Sequence, residues 1–394
     1  MELDRYDKAL LDGEYGETKQ KMMEILVSLA KINNAERFIE VKSVQVAGAS
    51  YKTIGDEGLE WISSLQGKVA VPSFLNPIGM PRENWEELGI PADFAKKQLE
   101  INAAYAKLGV KTTCTCTPYY YSIVERGDHL AWSESSAVCY ANSVLGARTN
   151  REGGPSALAS ALTGKTPEYG LHIVKNRVPD LEFRIDRLEE TKDWTQAEYA
   201  ALGVISGAIA GNRIPLFMGI RPTSLQLKAM GAAMAASGAV ALFHVNEITP
   251  EARFPFFKKH IAEDEREIVI IETAEIAELF GDVEPDCVVV GCPHLSKEEL
   301  EEAAVLLKGK KTRIPLYIFA AEELKNACAD QIKMIAKSGA KVVFDTCMIV
   351  SPLVDKYGCV MTNSGKAFTY LPGMCKAVPR LGTLRDCIRV ACGE

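Results

Sequence analysis

The sequence predicts an α/β protein of several domains, each built on a parallel sheet. Three observations carry this expectation. The chain's 394 residues exceed what one ordinary core covers. From about residue 265 onward, apolar strands alternate with helices. The N-terminal half holds strand-then-loop units whose loops are rich in small residues. Continuous apolar strands are expected to be covered on both faces, as parallel sheets are. The predicted divisions, with approximate boundaries, are an N-terminal α/β domain over 1–175, a middle α/β domain over 176–264 and a C-terminal α/β domain over 265–394.

In chain order, residues 4–32 show helical spacing through Leu10, Met22, Ile25, Leu26, Leu29 and Ile32. Phe38 to Val46 alternates like a strand and runs into Ala47-Gly48-Ala49-Ser50. Residues 69–80 form a second strand-then-loop unit ending in Asn76-Pro77-Ile78-Gly79-Met80, and 91–107 reads as a helix rich in Ala and Lys. Residues 109–118 are β-branched enough for a strand, which Pro118 ends. The stretch 134–165 is rich in Ser, Ala, Gly and Asn, which suits a closely packed helix with functional turns. Small-residue helices follow around strands at 214–218 and 239–245. The last part reads as strands at 267–271, 286–290, 314–319 and 341–345, separated by helices near 273–280, 296–309 and 321–338.

Composition narrows the function classes. Hydrophobic residues make up 47% and charged residues 25%, as in ordinary globular proteins. A net charge of −7 gives no basic field for nucleic acid. No apolar run reaches the roughly 20 residues a bilayer requires, and Met1-Glu2-Leu3-Asp4-Arg5 has no signal-peptide pattern, so a cytoplasmic protein is expected. Eleven cysteines, an odd number, do not fit a fully paired disulfide framework. In a reducing compartment they read as metal ligands, catalytic thiols or small buried hydrophobes.

Three of them recur in one setting. Cys116, Cys292 and Cys347 each follow a predicted parallel strand, where ligands of open α/β sheets bind. Three thiolates suit a [4Fe–4S] cluster that leaves one iron without a protein ligand, open to act as a Lewis acid on a substrate hydroxyl. The competing readings are buried hydrophobes and a zinc site. Cys114, two residues before Cys116 on the same strand, is the alternative ligand. Cys287 and Cys328 read as core.

Other groups are candidates for anions and substrate. Gly48, Ala49 and Ser50 form a loop that backbone N–H groups could line, or an ordinary turn. Asn76 and Pro77 occupy an equivalent loop. Arg148 and Arg151 flank a flexible turn and could clamp a carboxylate or phosphate, although paired arginines are commonly solvated. Glu134 and Ser135 offer a carboxylate and a hydroxyl, with Ser135 otherwise a helix cap. Lys366, in Asn363-Ser364-Gly365-Lys366, is a point charge suited to phosphate, but the glycine spacing of a phosphate loop is missing upstream. His294 follows Cys292-Pro293 and reads first as a structural imidazole.

These stretches resemble the large subunit of the aconitase X family across essentially the whole chain. The resemblance rests on Ala47 to Ser50, Phe74 to Met80, Thr115-Cys116-Thr117-Pro118-Tyr119, Ala141 to Gly153, Gly291-Cys292-Pro293-His294, Asp345-Thr346-Cys347 and Asn363 to Lys366. It implies an aconitase-like arrangement of α/β domains around a central [4Fe–4S] cluster held by Cys116, Cys292 and Cys347. It further implies a separate small subunit carrying the catalytic serine, so that no catalytic base is expected in this chain. Substrate would be bound by Gly48, Ala49, Ser50, Asn76, Pro77, Glu134, Ser135 and Lys366, with Arg148 and Arg151 as further anion candidates. The family is associated with two dehydrations, of (R)-5-phosphomevalonate in an archaeal mevalonate pathway and of cis-3-hydroxy-L-proline. The cysteine at 292, where the hydroxyproline branch tends to carry serine, favours the first. A non-catalytic iron–sulfur or zinc protein is the more distant alternative.

Overall fold

The computed structural model describes residues 1–263 and 265–394. Its architecture is α/β, with three parallel sheets of three, four and five strands and a small antiparallel pair, Phe38–Glu40 with Lys165–Pro167. The N-terminal sheet is ordered Ser73–Leu75, Val44–Val46, Ala131–Trp132. The middle sheet runs His244–Val245, Pro215–Phe217, Leu181–Ile185, Glu267–Ile271. The C-terminal sheet runs Lys341–Phe344, Leu316–Ala320, Cys287–Leu295, Cys359–Thr362, Val378–Leu381, parallel throughout.

Several expectations change for local reasons. The first helical stretch is two helices, Arg5–Leu11 and Glu17–Ile32, because Gly13 and Gly16 between them take positive φ. The strand read over 38–46 splits, its first half pairing with Lys165–Pro167 and its second entering the three-stranded sheet. Glu267–Ile271 joins the middle sheet beside Leu181–Ile185 instead of opening the C-terminal series, since five registered pairs bind it there. Residues 109–118 do not form a strand. Lys111 bridges Phe74 and Thr115 N–H reaches Leu75 O, but Cys114 between them adopts φ +45° and breaks the ladder. The strands at 359–362 and 378–381 were not read from the sequence, although the first lies inside the sheet.

Helix ends follow their caps. Thr195, Thr223, Ser296 and Thr383 each open a helix with a reciprocal capping box closed by Glu198, Gln226, Glu299 and Asp386. The small-residue helices Gln196–Ala210 and Ser224–Ser237 pack so closely that a Cβ on Gly203 would stand 2.4 Å from Met230 O. Among the described residues no helix is long and apolar enough to cross a membrane.

Candidate active site at the facing sheet ends

The carboxyl ends of the N-terminal and C-terminal sheets meet. Ala47 to Ser50 follow strand Val44–Val46, Asn76 and Pro77 follow Ser73–Leu75, and Ser133 to Ser135 follow Ala131–Trp132. From the other side come the turn Gly291 to His294, Asp345 to Cys347 after Lys341–Phe344, and Asn363 to Lys366 after Cys359–Thr362. Main-chain bonds join the two sets. Ile78 N–H donates to Asp345 O at 2.9 Å, and Cys347 N–H donates to Ile78 O at 2.9 Å. Ser50 Oγ donates to Val350 O at 2.8 Å. Gly79 has no room for a side chain: a Cβ would lie 2.6 Å from both Phe94 and Ser50 Oγ.

The loops of Cys116, Cys292 and Cys347 come together here, although only Cys347 lies just past a regular strand. Cys292 sits in a register shift within Cys287–Leu295, between Val290 and Leu295. Cys116 is fixed by the N–H of His294, which donates to its Sγ at 3.1 Å. Cys116 is buried, while Cys292 and Cys347 are partly exposed. Burial raises all three thiol pKa values, that of Cys292 to about 12, and the ammonium of Lys366 pulls against it at each. Cys114, with its left-handed backbone, packs in the N-terminal core and senses Asp345 and Arg82, so the alternative ligand is turned out of this group. Cys287, Cys328 and Cys139 are core residues, and no disulfide joins any of the eleven cysteines.

Beside the thiols lies a buried ion pair. Lys366, in the first turn of helix Gly365–Cys375, meets Glu134 Oε1, and both residues are more than nine-tenths buried. Glu134 caps helix Ser135–Tyr140: its Oε2 accepts from Ala137 N–H at 2.7 Å and Ser136 Oγ at 2.5 Å. Burial raises the Glu134 pKa, but the Lys366 charge outweighs this and holds the carboxyl below its ordinary value. Burial likewise works against the Lys366 ammonium, and Glu134 with the neighbouring cysteines more than restores it, leaving the pKa raised. The pair is therefore charged. The helix cap is Glu134 and not Ser135, and Ser136 is the serine bonded to it. Ser364, which caps the Lys366 helix through Ala367 N–H, donates its hydroxyl to Cys292 O.

Two buried amides tie the loops in a way that the sequence did not reveal. Gln45 Nε2 donates to Thr115 O at 2.9 Å and to Asn76 Oδ1 at 3.4 Å, while its Oε1 accepts from Glu134 N–H at 3.4 Å. Gln98 donates to Ala49 O at 2.6 Å and accepts from the N–H groups of Tyr51 and Gly79. An amide carries a donor and an acceptor on one side chain, so each can bind two loops at once. Nothing in a single sequence marks such a glutamine. Arg148 lies apart from the site, with His129, His172 and the Arg177–Glu251 pair, while the exposed Arg151 donates to Ala235 O at 2.9 Å.

A composite site at facing sheet ends, assembled from separate α/β units with three thiols beside a buried Lys–Glu pair, defines the class of this protein. Models of the aconitase X first, second and third domains match residues 1–175, 176–281 and 285–393. The chain belongs to the aconitase X family. It is 52% identical to the phosphomevalonate dehydratase large subunit of Methanosarcina mazei over 400 residues, covering 100% of this chain and 98% of that protein. The large subunit of the same name from Methanocaldococcus jannaschii is 44% identical, covering 99% and 100%. The cis-3-hydroxy-L-proline dehydratase of Hypocrea jecorina is 34% identical over 100% of this chain and 69% of its own length. The crystal structure of Thermococcus kodakaraensis aconitase X in its holo form superposes with a TM-score of 0.90 at 41% identity, covering 99% of this chain and 100% of that one.

Proposed function

We propose that this chain is the large subunit of a hydro-lyase that dehydrates (R)-5-phosphomevalonate to trans-anhydromevalonate 5-phosphate, with Cys116, Cys292 and Cys347 holding a [4Fe–4S] cluster. The observation that carries the reading is the convergence of those three cysteine loops beside the Lys366–Glu134 pair, in a chain 52% identical to a phosphomevalonate dehydratase large subunit. The donor set fits the group. Three thiols on three loops are the ligand type of iron–sulfur clusters. When bound, such a cluster supplies an iron without a protein ligand, a Lewis acid for the departing hydroxyl.

The chain's own residues bind and orient. Lys366 uses its ammonium on Glu134 Oε1 and, at 3.5 Å, Ser136 Oγ, which leaves a third N–H for an oxygen of the substrate. Glu134 keeps that ammonium charged inside the protein. Gly48, with φ +82°, turns the chain at the sheet end, and Ala49 O is held by Gln98, so the backbone of Gly48 to Ser50 forms a fixed wall. Asn76 Oδ1 is aligned by Gln45, and Pro77 precedes the residue that bonds to the Cys347 loop. Dehydration removes a proton from C2 and the hydroxyl from C3. On this reading a serine of the small subunit accepts the proton, and this chain supplies the pocket and not the base. A cytoplasmic location fits the reading.

The test is anaerobic co-purification with a separately expressed small subunit, followed by assay of both (R)-5-phosphomevalonate and cis-3-hydroxy-L-proline. Turnover of the phosphorylated substrate, with loss of iron and activity in Cys347→Ser, is expected. Turnover of hydroxyproline alone, or full activity in Cys347→Ser, would overturn the assignment.

A further inference from the structure

His294 is almost fully buried and bonds to groups from three parts of the chain. Its main-chain N–H donates to Cys116 Sγ at 3.1 Å. Its Nε2 lies 2.9 Å from Thr346 O, and because a carbonyl only accepts, that nitrogen carries the proton. Nδ1 is then the acceptor, 3.4 Å from Thr115 Oγ1. Its carbonyl accepts from Lys228 Nζ at 2.8 Å, and Lys228 also meets Glu299 Oε2 at 2.6 Å. Glu299 in turn accepts from Ser296 N–H at 2.7 Å, which closes the ring of contacts on the strand-to-helix turn that follows Cys292.

These partners come from different parts of the chain. Thr115 and Cys116 belong to the N-terminal part and Lys228 to a helix of the middle part, while Thr346 precedes Cys347 in the C-terminal part. His294 itself stands two residues after Cys292. One residue thus touches the loops of all three cysteines and the helix packed behind them.

We propose that His294 is the positioning residue of the cysteine site, and that the Lys228–Glu299 pair of the neighbouring helices clamps it. The inference rests on the reading that Cys116, Cys292 and Cys347 hold a cluster. With His294 in place the three cysteine loops are tied to one another, and the N–H directed at Cys116 is a fixed hydrogen bond to one ligand sulfur. Hydrogen bonds to cluster sulfurs tune a cluster's potential, and loss of an outer-shell partner costs about 10–100-fold in metal affinity.

The experiment uses the anaerobically reconstituted chain with its small subunit. Iron and sulfide per chain, the rate of iron release to bathophenanthroline disulfonate and the electron paramagnetic resonance spectrum of the reduced cluster are measured. His294→Leu, which removes both side-chain bonds, is expected to release iron at least about tenfold faster and to shift the spectrum. His294→Gln, whose amide N–H can still reach Thr346 O, is expected to restore most of the retention. Lys228→Met/Glu299→Gln removes the clamp without touching a cysteine loop and strands no carboxylate. It is expected to speed release several-fold, and it carries the test if His294→Leu does not fold. A wild-type chain that takes up no iron and sulfide would sink the cluster reading itself. A wild-type cluster with unchanged release and spectrum in all three variants would overturn the positioning role alone.

Discussion

Replacing Lys366 by methionine tests the charge arrangement of the site directly. The substitution keeps most of the buried stem and leaves Glu134 with the Ser136 hydroxyl and the Ala137 N–H but no opposite charge. At contact distance an opposite charge is worth about 4 kcal/mol at an effective dielectric near 20, and breaking a buried pair costs about 3–5 kcal/mol. Protonation of the stranded carboxyl sets a ceiling. From an unfolded pKa near 4.3, taking up a proton at pH 7.5 costs about 4 kcal/mol, and at pH 5.5 only about 2 kcal/mol. In the wild type the Glu134 pKa is depressed, so its contribution to stability is present above the unfolded value and lost as pH falls through the folded one. In Lys366→Met the folded pKa rises, and acid relieves the defect instead. Urea unfolding of the isolated chain should therefore show a loss of about 4 kcal/mol at pH 7.5, shrinking to about 2 kcal/mol at pH 5.5. Glu134→Gln/Lys366→Met should recover at least half of the loss at the higher pH. A loss below about 1 kcal/mol, equal losses at the two pH values, or a double variant no better than the single one would refute the charged-pair reasoning.

Two further outcomes follow from buried groups. His172 and His244 are held neutral, their pKa values pushed down by burial to about 3 and about 4. Between those values and an unfolded pKa near 6.5 the unfolded chain binds more protons, so each costs about 2 kcal/mol of stability on going from pH 7 to pH 5. His244→Gln, which keeps a donor toward Arg177 O, should flatten the acid limb of the stability profile by about one proton; a variant profile parallel to the wild type would rule out that role. Gly291→Ala places a Cβ 2.2 Å from Phe319 O at a residue with φ +100°. The strand pair before Cys292 must then part, at about 3 kcal/mol or more, with loss of iron uptake; an unchanged urea midpoint would contradict it.

Much of this protein is legible from sequence because its signals are local. Apolar runs such as Val288-Val289-Val290 and Leu316-Tyr317-Ile318-Phe319 declare buried parallel strands, and pairs such as Ser296 with Glu299 declare helix starts. The loops at 47–50, 76–77, 116, 292, 347 and 366 stood out because small and polar residues interrupt those runs. Local signals failed where the backbone departs from its propensity. The β-branched residues around Thr112 and Thr113 favour a strand, yet the left-handed Cys114 prevents one. Ser135 is a reasonable cap by type, but Glu134 takes the position, its carboxylate held by Lys366 from a helix 232 residues away in sequence.

Most element types, the positions of the three cysteine loops and the likeness to one family are legible in the residues themselves. Only the tertiary structure shows that Cys114 packs in the N-terminal core, that Arg148 lies beside His172, that Glu267–Ile271 belongs to the middle sheet, and that Gln45 and Gln98 hold the loops together. The reason is physical. Periodicity and capping act over a few residues, whereas a buried amide or imidazole gains its role only when the fold brings a distant carbonyl within about 3 Å.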